Sequence, residues 1–511
     1  MNEKQFSNDL KIKKSVIIYG AGMVGNLVYS RLCAHGLKEY IIGFAVSSKN
    51  MENHLSLPIY EISELVKYKE LADIVIATLP NSHKEIFNTL RKYGFQHIWK
   101  VTEVLYQEMA QNYIEEFKKM HIFKKSSVDV LLMSSDNNSS SGAFLCLTDL
   151  SVELSKAGIS NVVVLPEYGN GEGILLSKNI DYVYISSIPW VEKIDRALCP
   201  LNDEEVKQER NNKAILELED FIVQHKVKLV HNNSSYTYVG AAAAKKQNIP
   251  FIWHIRENIY EQGFAFVNYE KSMDFINQSA KIFAVSKFIS KCYQKLEDDK
   301  IQICYDGVKI EDYYNEKKQL LKKEKILITQ IGSIAPVKNQ RELIEMAFIL
   351  KKKKVNFEIR IVGNGDEYYI EELKRAIKEY CLEKEIIFVG RRDNVRLFYQ
   401  ESDIIAVCSK AEAFGRTTVE AQLAGCLVIG ADIGATSELI EDGKTGFLYK
   451  AGDAQDFAEK VIYALNKKEI SEKVAANGQR YAYGFYTKER NAKEIIDLYK
   501  EILSGQTRDE A

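Results

Sequence analysis

Glu412-Ala413-Phe414-Gly415-Arg416-Thr417-Thr418-Val419-Glu420 is the stretch on which the reading of this chain turns. Two carboxylates separated by seven residues straddle the point where a loop becomes a helix. Ile404–Val407 reads as an apolar strand, residues 411–415 as the loop that leaves it, and residues 417–424 as the helix that follows. The first helical turn leaves backbone N–H groups free to meet an anion, while carboxylates accept hydrogen bonds from neutral hydroxyls. A diphosphate is such an anion, and sugar and ribose hydroxyls are such donors. A solvated loop tip next to a surface helix would give the same isolated pattern, so the surroundings decide.

Around it, Gly332 and Lys338 follow the strand pattern Ile326–Ile331, Gly363 and Gly365 follow residues 359–362, and Gly390 comes next. After the acidic stretch come Gly425, Gly434, Glu438 and Thr445-Gly446-Phe447-Leu448. In this order these residues resemble the C-terminal half of glycosyltransferase family 4, retaining enzymes of GT-B fold that take sugars from nucleotide donors. The resemblance extends over about residues 128–503 and is densest from 326 to 448. It implies an α/β chain: a GT-B fold of two Rossmann-like domains preceded by a third, small Rossmann-like domain. The expected division is 1–104 for the small domain, 105–127 for a helical connector and 128–323 for the acceptor-side domain. Residues 324–487 would form the donor-binding domain, and 488–511 a helix crossing back to the acceptor side, with a tail.

The resemblance also implies roles. Glu412 would face the donor sugar, with the N–H groups of Phe414 and Gly415 meeting its hydroxyls, and Glu420 would hold the ribose. Thr417 and Thr418 would face the phosphates, and Lys338, expected to begin the helix behind the Gly332 loop, matches the family's phosphate-binding lysine. His254, at the end of the strand Phe251–Ile255, resembles the histidine that many members place near the donor sugar; His231 is a weaker, acceptor-side candidate. The chain departs from the family at Ser333, where many members carry an arginine beside the diphosphate; Arg416, Arg256 and Arg392 are the cations that could compensate. Retention in this family is described as same-face attack with the leaving phosphate taking the acceptor's proton, so Glu412 is not assumed to be a nucleophile.

Two further loops carry glycine patterns. Residues 134–142, Ser-Ser-Asp-Asn-Asn-Ser-Ser-Ser-Gly, lie between a strand and a helix, where Gly142 lets a ligand's phosphate come close to the helix N-terminus. Gly20, Gly22 and Gly25 form a G-x-G-x-x-G turn in strand and helix context. A dinucleotide site expects an acidic residue at the end of the second strand, but the chain there reads Val46-Ser47-Ser48-Lys49, which disfavours NAD. With Ile42-Gly43-Phe44, Leu57-Pro58-Ile59 and residues 73–77, this unit resembles the nucleotide-sugar-binding domain of bacterial sugar O-acyltransferases. It also resembles the cofactor-binding regions of polysaccharide-modifying dehydratases. Glycines needed only for a tight turn and close packing explain the same pattern.

A length of 511 residues favours several cores over one, and a net charge of −2 gives no electrostatic footprint for nucleic acid. The polar, lysine-bearing start and the lack of a membrane-length apolar run lead us to expect a cytoplasmic chain, with a place at the inner face of the cell membrane left open. The scattered cysteines read as reduced thiols rather than disulfides or zinc ligands. Lys351–Lys354 and Lys322, Lys323 and Lys325 read as solvated helix ends, with contact to an anionic membrane the minority reading.

The expectation is therefore a hexosyltransferase-type enzyme, retaining and metal-independent, moving a sugar from a nucleotide sugar, a UDP-sugar foremost, to a polysaccharide, lipid-linked or glycoconjugate acceptor. No further cofactor and no nucleic-acid partner is expected; a homo-oligomer is left open. Two alternatives remain: a non-catalytic GT-B binding subunit, suggested by Ser333, and an NAD-dependent sugar oxidoreductase or epimerase built on the first glycine turn.

Overall fold

The computed structural model describes residues 2–10, 15–47, 57–78, 80–194, 204–316, 318–392 and 394–509, with side chains to residue 504. Ser48 and Lys49, where the acidic ribose ligand was sought, lie outside the described residues.

Three parallel sheets follow one another along the chain. The first has the spatial order Ile59–Glu61, Ile41–Val46, Val16–Tyr19, Asp73–Ile76, Ile98–Lys100. Seven strands make the second: Ile301–Ile303, Lys281–Ala284, Phe251–Ile255, Leu229–Asn232, Val130–Met133, Asn161–Leu165, Tyr182–Tyr184. Six make the third: Ile386–Gly390, Phe357–Val362, Ile326–Ile331, Ile404–Val407, Leu427–Ala431, Phe447–Tyr449. Central strands such as Val130–Met133 and Ile404–Val407 are buried at every position, which is why they read as unbroken apolar runs. The α/β class and the Rossmann-like character expected from the sequence are both present.

Strand order positions the site. In the second sheet the chain begins at Val130–Met133, runs outward to Tyr182–Tyr184, then returns to the other side at Leu229–Asn232. In the third it begins at Ile326–Ile331, runs outward to Ile386–Gly390, and returns at Ile404–Val407. Each reversal opens a crevice beyond the carboxyl ends of the two central strands, where open α/β sheets bind ligands. The loop 134–142 leaves one crevice strand; the turn bearing Lys338 and the loop bearing Glu412 leave the other pair.

The cores are joined. Phe414, Val419, Leu423 and Leu439 pack in one apolar cluster with Val239, Trp253 and other residues of the second sheet's layer. In the helix Lys488–Asp509, Ile495 and Tyr499 pack against Val130 and Phe144. The helix Glu103–Met120, started by Thr102 Oγ1 accepting from Leu105 N, serves two cores: Leu105 and Met109 lie in the first, Ile114 and Phe117 in the second.

Local details correct the sequence reading. Lys338 does not begin the helix; it closes a 3-10 turn, Pro336–Lys338, and Asn339, at φ 53°, separates it from the helix Gln340–Lys352. Lys322, Lys323 and Lys325 are not at a helix end: residues 318–325 form bends around Leu321, whose φ is also 53°. The short strands Val191–Lys193 and Phe264–Phe266, an antiparallel pair, were not anticipated.

Candidate active site

Glu412 sits at the centre of the third sheet's crevice. Lys338 Nζ and Ser409 Oγ each donate to Glu412 Oε1 at 2.5 Å, and no hydrogen bond from a described residue reaches Oε2. Gln330 Nε2 donates to the Lys338 carbonyl at 2.7 Å, which fixes the turn that aims the lysine. Burial pushes the Glu412 carboxyl up, but the Lys338 charge and the two hydrogen bonds outweigh it and hold the group below the ordinary carboxylate value. The pair is thus ionised and compact, with one carboxylate oxygen left for a hydroxyl donor.

The loop ends at Gly415, whose φ of 98° lies in the left-handed region, and the helix Arg416–Leu423 starts there without a side-chain cap. Thr418 N and Val419 N turn back to the Gly415 carbonyl, leaving the N–H groups of Arg416 and Thr417 without a partner among the described residues. Thr418 is fully buried and its hydroxyl has no hydrogen-bond partner among the described residues. One turn on, Glu420 Oε2 accepts from Tyr399 Oη at 2.8 Å, and its Oε1 lies 3.6 Å from Arg416 Nε. The Phe414 ring is buried between Tyr305 and Tyr486, so this residue offers a ligand its backbone only.

The second sheet's layer meets this loop directly. Ser286 Oγ donates to the Ala413 carbonyl at 2.6 Å, and Arg416 Nη1 donates to the Gly307 carbonyl at 3.2 Å and faces Cys146 Sγ at 3.1 Å. Glu438 accepts from Lys287 N at 2.9 Å, Phe288 N at 2.6 Å and Tyr305 Oη at 2.9 Å. The short helix that carries Glu438 is itself pinned to the acidic loop, because Ala435 N donates to the Glu412 carbonyl at 3.0 Å.

Other candidates are placed differently. His254 is fully buried, its ring beside His231 and Phe283, with Nδ1 3.2 Å from Arg256 Nη2. Burial first, then the Arg256 charge, push it well below 6.5, so the imidazole is neutral. His231, bonded through Nδ1 to Tyr499 Oη at 2.5 Å, is pushed down to about 3 by the same causes. The structure brings these two histidines to each other, within the packing of the sheet, and not to Lys338 or Glu412. Past the strand end stands Arg256, ion-paired with Asp306 and donating to Asn233 Oδ1 at 2.8 Å. Ser333 is exposed, its carbonyl accepting from Gln340 Nε2 at 3.0 Å, and Arg392 is exposed as well. Gly142 begins the helix Gly142–Lys156, capped by Ser141 Oγ. Gly20, Gly22 and Gly25 lie in the first sheet's unit, outside this crevice.

Ser409, Ser286, Tyr305 and Tyr399 escaped the sequence reading. Only Ser409, three residues before Glu412, stood close enough in the chain to be found; the partners of the others are 21 or more positions away. Among the described residues no group of His, Cys, Asp and Glu could hold a metal ion.

Comparison with known proteins agrees with this geometry. Residues 140–312 match the model of Glycosyltransferase Family 4, and residues 313–481 match Glycosyl transferases group 1. N-acetyl-alpha-D-glucosaminyl L-malate synthase of Bacillus anthracis is 27% identical over 237 residues, 45% of this chain and 61% of that protein. The capsular polysaccharide biosynthesis glycosyltransferase CapM of Staphylococcus aureus is 24% identical over 41% of this chain and 53% of its own length. The chain thus spans somewhat more than half the length of these curated relatives. Among solved structures, Anabaena HepE in complex with UDP and glucose superposes with a TM-score of 0.62 at 20% identity, covering 73% of this chain and 99% of HepE. TarM gives 0.58 at 14% identity, covering 74% and 99%. The two family models meet end to end across both crevices, and the chain belongs to glycosyltransferase family 4, with the GT-B fold.

Proposed function

We propose that the protein transfers a glycosyl group from a nucleoside diphosphate sugar, a UDP-sugar foremost, to a glycan or lipid-linked acceptor, with retention of configuration at the transferred carbon. The observation that carries this reading is the Lys338–Glu412 pair, held at 2.5 Å beside an uncapped helix start. The carboxylate's free oxygen accepts a donor-sugar hydroxyl, the helix N–H groups meet the diphosphate, and Glu420 accepts from the ribose. As the bond from the anomeric carbon to the phosphate oxygen breaks, its electron pair passes to the diphosphate. The acceptor oxygen bonds to the same face of that carbon, and its proton goes to the leaving phosphate oxygen. The cations that stabilise this charge belong to the chain itself, so the reaction as drawn does not call on a metal. Binding of UDP by HepE and the capsular role of CapM support the choice of donor and acceptor class.

The test is a panel of UDP-, GDP- and ADP-sugars with glycan and polyprenyl-phosphate-linked acceptors, with and without chelator, the product's anomeric configuration being read by NMR. Transfer from at least one donor with the α configuration kept is expected. Inverted product, or binding without turnover for every pair, would replace this reading with an inverting enzyme or a binding subunit. Among the described residues no helix is long and apolar enough to cross a membrane, so vesicle sedimentation is the measure of surface association.

A further inference from the structure

We propose that Arg416 is the cation that binds the donor's diphosphate in place of the arginine missing at Ser333, and that it does so from the seam between the two halves. This rests on the proposed nucleotide-sugar reading and adds to it the residue that carries the charge.

Of the four cations the sequence offered, three are already spoken for or out of place. Lys338 is taken up by Glu412 at 2.5 Å. Arg256 is ion-paired with Asp306 and also hydrogen-bonds Asn233 and His254. Arg392 is exposed and donates to the neighbouring Arg391 carbonyl. Arg416 is different. Its side chain is only 20% exposed, its Nη1 contacts are to neutral groups, Gly307 O and Cys146 Sγ, and Nη2 has no hydrogen bond to a described residue. The nearest carboxylate, Glu420, stands at 3.6 Å, beyond hydrogen-bond distance, and is engaged by Tyr399.

The surroundings make this incomplete neutralisation informative. Arg416 is the first residue of the helix Arg416–Leu423. A Cβ built on Gly142, the first residue of the helix Gly142–Lys156, would come 3.6 Å from Arg416 Cδ. The guanidinium stem therefore lies between the N-termini of two helices, one from each half, and both ends carry positive partial charge. Asp136 stands behind the second of these, accepting from Ser141 Oγ at 2.9 Å and Asn138 N at 3.0 Å. A largely buried cation between two positive helix ends has Glu420 nearby but no carboxylate hydrogen-bonded to it among the described residues. The buried Thr418 hydroxyl, without a partner among the described residues, lies 3.5 Å from a Cβ placed on Gly415, at the start of the same helix. A diphosphate satisfies the two free N–H groups, this hydroxyl and the guanidinium together. Because the arginine also holds Gly307 and Cys146 of the other half, its guanidinium is held at this position only when the halves are together.

The experiment compares UDP with uridine by calorimetry on the full-length wild type, Arg416→Ala, Arg416→Lys and Arg416→Ala with Ser333→Arg, with melting curves alongside. Arg416→Ala is expected to weaken UDP at least tenfold while changing uridine less than twofold. Arg416→Lys should fall between, and the added arginine at 333 should recover at least threefold of the lost UDP affinity. Equal losses for UDP and uridine, or no loss, overturn the proposal, as does a double variant no better than Arg416→Ala. A wild type that binds neither UDP, GDP nor ADP removes the nucleotide-sugar reading itself, and this outcome is distinct from a wild type whose diphosphate preference is indifferent to residue 416.

Discussion

At residues 20–25 a glycine turn follows the apolar strand Val16–Tyr19 and opens the helix Met23–Ala34; at residues 411–416 another follows Ile404–Val407 and opens Arg416–Leu423. Both helices start on a glycine with no side-chain cap. In the first, a Cβ on Gly25 would lie 1.9 Å from the Gly20 carbonyl, whereas one on Gly22 would meet nothing within 4 Å. A polar contact beside this turn, Tyr19 Oη with Ser47 Oγ at 2.8 Å, joins two neutral groups. The second turn carries Glu412, Arg416 and Glu420, and receives Lys338 from 74 positions earlier. The glycines make the turn in both places. What differs is the charged side chains that the topology delivers, and among the described residues only the second turn receives them.

The comparison breaks first at Lys338. Lys338→Ala should lower kcat at least about tenfold, since the charge-assisted bond that keeps Glu412 ionised and in place contributes about 1.5–3 kcal/mol. The pH profile gives a second readout. With Lys338 present, Glu412 stays ionised below the usual carboxylate range, and the ionised form's contribution is lost only as pH falls through that lowered value. Without the lysine, burial dominates and the pKa rises, so the acid limb of kcat/KM should move to higher pH. An unmoved limb and unchanged kcat would put Lys338 among the merely structural residues.

Glu420 sharpens the comparison. Glu420→Ala should weaken nucleoside binding by about tenfold and also lower stability by about 1–3 kcal/mol, because the buried Tyr399 hydroxyl loses its acceptor. Glu420→Gln keeps an acceptor for Tyr399, so a melting temperature restored with affinity still reduced separates the two effects.

At the first turn the expected effects on transfer are small. A chain beginning at residue 105 should keep transfer within about threefold of the full protein, as the two crevices lie wholly downstream, although exposing the Met109 side of its first helix should lower solubility. Gly25→Ala should unfold the first unit locally, and Gly22→Ala should change its melting by no more than about 0.5 kcal/mol. Loss of transfer on Gly22→Ala would place the first turn in the reaction.

Parallel strands such as Phe251–Ile255 and Ile326–Ile331 were legible because burial on both faces forces apolar runs, and the order of glycines and acids made the donor half legible. The three-residue strand Tyr182–Tyr184 was not, being too short for alternation to register. His254 was read from its place at a strand end, yet which face a ring takes depends on His231 and Phe283, which only the packed sheet supplies. Asp306 carries no local sign of its partner, Arg256, 50 residues earlier. Contacts across the seam, such as Ser286 with Ala413, join residues 127 apart and leave no local signature.

Glu438 has a further consequence for dynamics. The six-residue helix Lys287–Cys292 owes the satisfaction of its first two N–H groups to a carboxylate from the opposite half, while its own Ser286 accepts only from Ile289 N. So short a helix is marginal by itself. Separation of the halves would strip two donors of their acceptor and let the segment fray, returning backbone entropy to the open form. Opening and closing would then be an order–disorder transition at 287–292 as well as a rigid rotation, and the exchange rates of the Lys287 and Phe288 amides would report how often the enzyme opens.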